Sequence, residues 1–240
     1  MKINFSKKYI LFFILFLFNG SFPEKILASC NFKTGEYIDQ LSLPNSIRSI
    51  DIKLNKPRKY AINAFEILSS ELSNIDAKYK KKFKAFIKVN YDFGNCSYKG
   101  KIWQNGDWKD HIKLDNGGQL RRSLNVKLED GNILNATKFK LLLPETRNKL
   151  NEIMGILILK NLGFIVPETF EVNVSVIKKD SKYKMIFQED SQKELLERNF
   201  RREGPIFEGD ESLLWQTEEG KEVGFKKDFE SLSLSRLVNY

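Results

Sequence analysis

Apolar residues occupy every second position from Ala85 to Phe93: Ala85, Ile87, Val89, Tyr91 and Phe93 interleave with Phe86, Lys88, Asn90 and Asp92. A period of two puts one set on each face of an extended chain, so this stretch is a half-buried strand and not a helix. Gly94-Asn95 can turn the chain, and Cys96 to Trp103 reads as the returning strand of a hairpin. The same alternation recurs at Ser49 to Leu54 and Leu124 to Leu128, and Asp130-Gly131 supplies a turn before a further strand at Phe139 to Leu143. Val172 to Val176 and Tyr183 to Phe187 form a strand pair around Lys178-Lys-Asp-Ser.

Between these strands the period lengthens. Ile62, Phe65, Leu68 and Leu72 recur at helical spacing within Arg58 to Leu72, continued or followed by a second helix over Ile75 to Lys84. After Pro144 a helix carries Leu150, Ile153, Met154 and Leu157 on one face and ends at Gly163, and a short helix covers Gln192 to Asn199. The expected fold is therefore α+β, a mainly antiparallel sheet with two or three packed helices. The chain divides into four segments: a signal peptide at 1–29, an N-terminal helical segment at 30–84, an α+β domain at 85–215 and a tail at 216–240.

The first segment has Lys2, Lys7 and Lys8 before an apolar run from Tyr9 to Phe18, then Ala28 and Ser29, which is the order of a secretory signal. A run this short does not span a bilayer, which takes about 20 residues. Export to the periplasm or the exterior makes Cys30 and Cys96 a disulfide pair, worth about 4 kcal/mol by loop closure, with a free or lipidated Cys30 as the alternative. The formal charge is +9, and losing Lys2, Lys7, Lys8, Lys25 and Glu24 with the signal leaves +6. That excess suits an anionic partner such as a phosphate, an acidic glycan or a membrane surface. Nucleic acid is not expected, because no binding module is present, and membrane contact is expected only through the signal segment.

Polar residues concentrate at four places. Gly106 to His111 holds Asp107, Asp110 and His111, a set that could ligate a metal but that equally caps a turn and covers a sheet; no metal is assigned. Lys127 and Lys140 lie on strands, with Glu145, Arg147 and Glu152 after them, an arrangement that suits either a phosphate-holding Lys–Glu pair or surface ion pairs. Glu189 ends an apolar strand. Arg201 and Arg202, near a Gly-Pro turn, suit carboxylate or phosphate recognition or an internal brace. Asp92-Phe93-Gly94 spells a kinase metal-binding tripeptide, but no His-Arg-Asp loop accompanies it.

Gly-Asp-Trp-Lys-Asp-His, Ser-Leu-Asn-Val-Lys-Leu, Phe-Lys-Leu-Leu-Leu-Pro-Glu-Thr-Arg-Asn, Val-Asn-Val-Ser-Val, Phe-Gln-Glu and Arg-Arg-Glu-Gly-Pro-Ile succeed one another in that order. Together, over Phe83 to Trp215, they resemble the N-terminal part of the spore-coat CotH kinase family and its bacterial relatives. The resemblance implies a kinase-like lobe binding ATP and Mg2+ and phosphorylating exported or surface proteins, with Lys127 at the phosphates and Glu189 in the nucleotide pocket. Where relatives carry Arg-Leu-Lys-Gly-Asp, this chain has Trp103-Gln-Asn-Gly-Asp107. The family's catalytic aspartates lie in a C-terminal lobe, and 25 residues come after Trp215. Two expectations stand side by side: a shortened CotH-kinase-like protein, or a non-enzymatic envelope module that binds an acidic glycan or a protein.

Overall fold

A computed structural model describes residues 29–32, 35–115, 118–177, 181–202 and 204. Almost all of the 1–29 segment, residues 178–180 and the 216–240 tail lie outside them. The strands are β1 (Ser29–Phe32), β2 (Ile47–Leu54), β3 (Phe83–Tyr91), β4 (Gly94–Gln104), β5 (Ile112–Leu114), β6 (Leu120–Arg122), β7 (Leu124–Leu128), β8 (Lys138–Leu142), β9 (Thr169–Val176) and β10 (Lys182–Glu189). The helices are α1 (Pro57–Ser69), α2 (Asn151–Asn161) and α3 (Lys193–Arg198).

The hairpin forms as its alternation dictates, with Asp92 and Phe93 as its two turn residues and Tyr91 opposite Gly94. The assembly of the strands departs from the expected layered α+β sheet. The large sheet runs β4-β3-β2-β9-β10-β8-β7 and returns from β7 to β4, so seven strands close into a mixed β-barrel, while β1 pairs with the first residues of β4. Every pairing in the ring is antiparallel except β2 with β9, which is parallel. This corrects the expectation of a kinase-like lobe with helices packed on a sheet.

The physical reason for closure lies in β4. It has eleven residues, enough to pair along one edge with β3 and to divide its other edge between β1, opposite Gly94 to Ser97, and β7, opposite Gly100 to Gln104. A closed sheet has no exposed edge to protect, and a barrel this small is filled by its own side chains. Ile50, Ile87, Val89, Ile102, Val126, Phe139 and Val174 are fully buried within one core, and Phe187 stacks between Phe139 at 4.6 Å and Phe170 at 4.8 Å.

Cys30 and Cys96 are direct cross-strand partners joined as a disulfide, which holds β1 on the barrel and points to an oxidising, exported environment. Ile75 to Lys84, expected as helix, instead forms one short 3-10 turn at Ala77–Tyr79 before β3 begins.

Closure also explains a glycine. A Cβ on Gly100 would lie 2.6 Å from the Lys127 carbonyl and 2.7 Å from Ile87 Cδ1, at the first residue where β4 meets β7. Gly100→Ala is expected to cost about 1–3 kcal/mol by overpacking, read as a lower urea midpoint; an unchanged midpoint would show that β7 does not approach β4 this closely. Reduction of the disulfide is expected to cost up to about 4 kcal/mol, and coincident oxidised and reduced denaturation curves would contradict that.

Candidate functional site

The barrel wall inherits the two-residue period, so each strand offers one row of side chains outward. Register then brings lysines side by side. Lys84 on β3 faces Lys101 on β4, Lys101 faces Lys127 on β7, and Lys127 faces Lys138 on β8. With strands about 4.8 Å apart the four cross roughly 15 Å of surface. Lys99 and Lys140 extend the face on the same strands, and Lys82 lies over the Trp103 ring at 5.2 Å.

Carboxylates on this face are fewer. Glu129 lies 2.8 Å from Lys101, and Asp190 meets Lys138 at 2.5 Å and Lys140 at 3.5 Å. Asp130 accepts from the Lys99 backbone N–H at 2.6 Å. Among the described residues no acidic side chain is within ion-pair reach of Lys84 or Lys127, both exposed. Lys101 holds the Glu129 carboxyl below its ordinary range, first by hydrogen bonding and then, with Lys84 and Lys99, by its field. Like charges directly opposite on neighbouring strands are destabilising, so this row costs the fold stability that a neutral row would not.

The residues expected to share a nucleotide pocket separate. Lys127 lies opposite Lys138 and points outward, whereas Glu189 lies opposite Phe139, whose ring is in the core. Lys127 and Glu189 are thus on opposite faces of the wall. Glu189 is 2% exposed, accepts from Arg198 at 2.7 Å and from the Glu168 backbone N–H at 3.0 Å, and braces α3 to the barrel end. Burial holds its carboxyl above the usual range against the pull of Arg198. Lys140 pairs with Asp190 and not with Glu145 or Glu152; Glu145 reaches Arg121 at 3.8 Å, and Glu152 takes Arg147 at 3.9 Å and the Gln188 amide at 2.7 Å. Arg201 and Arg202 are exposed beyond α3.

Gly106 to His111 forms a clasp. Asp107 pairs with Lys80 and its carbonyl accepts from the Ile75 backbone N–H at 2.6 Å, while Trp108 bridges to Asn74. Gly106, at φ +87°, lies so close to His111 that a Cβ would fall 2.1 Å from the imidazole. Asp110 is exposed, and among the described residues no three His, Cys, Asp or Glu side chains are grouped to hold a metal.

Beside the clasp is a buried cation that sequence reasoning missed. Arg122, 1% exposed, donates to Gln104 Oε1 at 2.8 Å, the Tyr60 carbonyl at 3.2 Å and Asn63 Oδ1 at 3.1 Å, and its guanidinium lies 4.6 Å from the Tyr60 ring centre. No carboxylate pairs with it among the described residues. Burial lowers the Arg122 pKa, and burial also pushes the Tyr60 hydroxyl up to about 12 against the opposing field of Arg122. The only signal for this hub was Tyr60 and Asn63 at helical spacing. The hub turns α1 so that Tyr60, Asn63, Ala64 and Ile67 are buried, while Ile62, Phe65 and, just beyond α1, Leu72, expected on the buried face, are about half exposed.

Compared with known proteins, the chain matches no family model and has no significant match among curated proteins.

His111 is the single histidine and is 6% exposed. Burial lowers its pKa below 6.5, with Arg147 and Lys80 acting in the same direction and Asp110 and Asp107 opposing. The unfolded chain therefore binds the proton more readily, so His111 stabilises the fold above pH 6.5 and this contribution is lost as pH falls through its lowered folded value. The proton NMR titration of this one imidazole should show a midpoint below 6.5; a midpoint at or above it would contradict the burial.

Proposed function

We propose that the chain is an exported, non-enzymatic envelope module whose lysine face binds an acidic glycan. The observation that carries this is the directly opposed row Lys84, Lys101, Lys127 and Lys138. Glu129 and Asp190 offset Lys101 and Lys138, but Lys84 and Lys127 add like charge beside them at a cost in folding stability, which an external polyanion would relieve. Lysine suits such a ligand, because a point charge on a flexible stem follows carboxylates or sulfates spaced along a polymer without demanding one planar geometry. The closed barrel fixes the strands beneath, so the row stays contiguous. The disulfide and its implied oxidising environment fit a location where acidic glycans are met.

The test is binding of the exported form to polygalacturonate, with neutral dextran as control. The wild type is expected to bind the acidic polymer only, more weakly as salt rises, because exposed charges are screened over about 8 Å at physiological ionic strength. A Lys84→Ser/Lys127→Ser variant is expected to bind roughly tenfold more weakly, while its thermal midpoint stays level or rises because repulsion is relieved. Unchanged polygalacturonate affinity in that variant would overturn the proposal.

A further inference from the structure

The helix α2 is apolar, yet none of its residues is buried. Only Glu152, Ile153 and Ile156 are half covered on the side toward the barrel. Leu150, Met154, Leu157, Ile158 and Leu162 recur at helical spacing along the other side and are 51%, 58%, 51%, 57% and 68% exposed. Phe164, 62% exposed, prolongs this stripe past Gly163, whose φ of +85° ends the helix. A continuous apolar patch of this kind marks an interaction surface and not ordinary scatter.

The charges around the stripe say what covers it. Lys149 stands just before the N-terminal end of α2, where the helix dipole disfavours a cation, and among the described residues it has no acidic partner. Lys160, at the other end, is 3.3 Å from Glu168, and the Glu168 backbone donates to Glu189, which pairs with Arg198. That chain of contacts brings the end of α3 to the same end of the molecule. There Phe200, at φ +54°, is 97% exposed and is followed by Arg201 and Arg202, also without acidic partners among the described residues.

Apolar side chains that offer no hydrogen-bonding group, rimmed by unpaired cations, match an anionic lipid surface: the acyl layer takes the stripe and the headgroups take the cations. A protein partner would normally meet about one hydrogen bond per 100–200 Å², and between Asn151 and Asn161, at the two ends of the helix, the outward stripe has no polar side chain to make one. Among the described residues no helix is long and apolar enough to cross a membrane; α2, with eleven residues, extends about 16 Å. We infer that α2, with Phe164 and Phe200, lies in the plane of an anionic membrane surface and holds the barrel against it.

The exported form would be sedimented with vesicles of phosphatidylglycerol and phosphatidylcholine, and with phosphatidylcholine alone. Binding is expected on the anionic vesicles, reduced on the order of tenfold in Leu157→Ser/Ile158→Ser, and reduced on the anionic vesicles alone in Lys149→Gln/Arg201→Gln/Arg202→Gln. The proposal is overturned if the wild type does not sediment with anionic vesicles, or if the Leu157→Ser/Ile158→Ser variant binds equally. It is also overturned if the wild type forms a dimer that this variant abolishes, which would assign the stripe to a second copy. A thermal midpoint several degrees lower in that variant would overturn it too, since the stripe would then be covered by the rest of the chain.

Discussion

The structure depends on β4 pairing along both of its edges. Had β7 stopped short of it, the sheet would be open, with β4 and β7 as edges, and Lys101 and Lys127 would be apart. Because Gly100 carries no Cβ, the Lys127 carbonyl and Ile87 come within a distance that any other side chain would block, and the ring closes on a core of aliphatic residues with Phe139 and Phe187 stacked inside it. The row of four lysines is a consequence of that closure, since it sets the pair Lys84 and Lys101 of β3 and β4 beside the pair Lys127 and Lys138 of β7 and β8.

Local periodicity was sufficient for most of the long elements, but not for Ile75 to Lys84, nor for the short strands β1, β5 and β6. The strand pair of β9 and β10, the strand of Lys127 and the glycine that ends α2 are where alternation and turn chemistry place them, and the hairpin of β3 and β4 forms with its turn at Asp92-Phe93 and not at the expected Gly94-Asn95. Periodicity says nothing about which distant strands pair. The contact of β4 with β7 and the parallel contact of β2 with β9 are set by side-chain fit across the interior, and they turn an expected layered sheet into a barrel.

The helix faces show why apolar spacing alone misleads. In α1 the apolar choice, Ile62, Phe65 and Leu68, competes with Tyr60 and Asn63, whose carbonyl and amide oxygens satisfy the buried Arg122. Leaving a buried guanidinium without acceptors is more costly than exposing two apolar side chains, so the polar set turns inward. In α2 no buried charge orients the helix, and only Glu152, through the Gln188 amide, and the half-covered Ile153 and Ile156 face the wall. The candidate site had the same kind of gap: Lys127 was legible as a strand lysine, but its neighbours were not, because Lys84, Lys101 and Lys138 become its companions only through register. Glu189, expected in the same nucleotide pocket, faces inward by parity with Phe139.

The central claim is that β7 and β4 are hydrogen-bonded neighbours, with Lys101 beside Lys127. Its most direct measurement is the cross-strand nuclear Overhauser contact between backbone protons of the β4 residues Lys101 to Trp103 and the β7 residues Asn125 to Lys127. Strong contacts in the antiparallel register, together with those from β4 to β3, are expected of the closed ring. Contacts to β3 alone, with rapidly exchanging β7 amides, would contradict it and remove the lysine row.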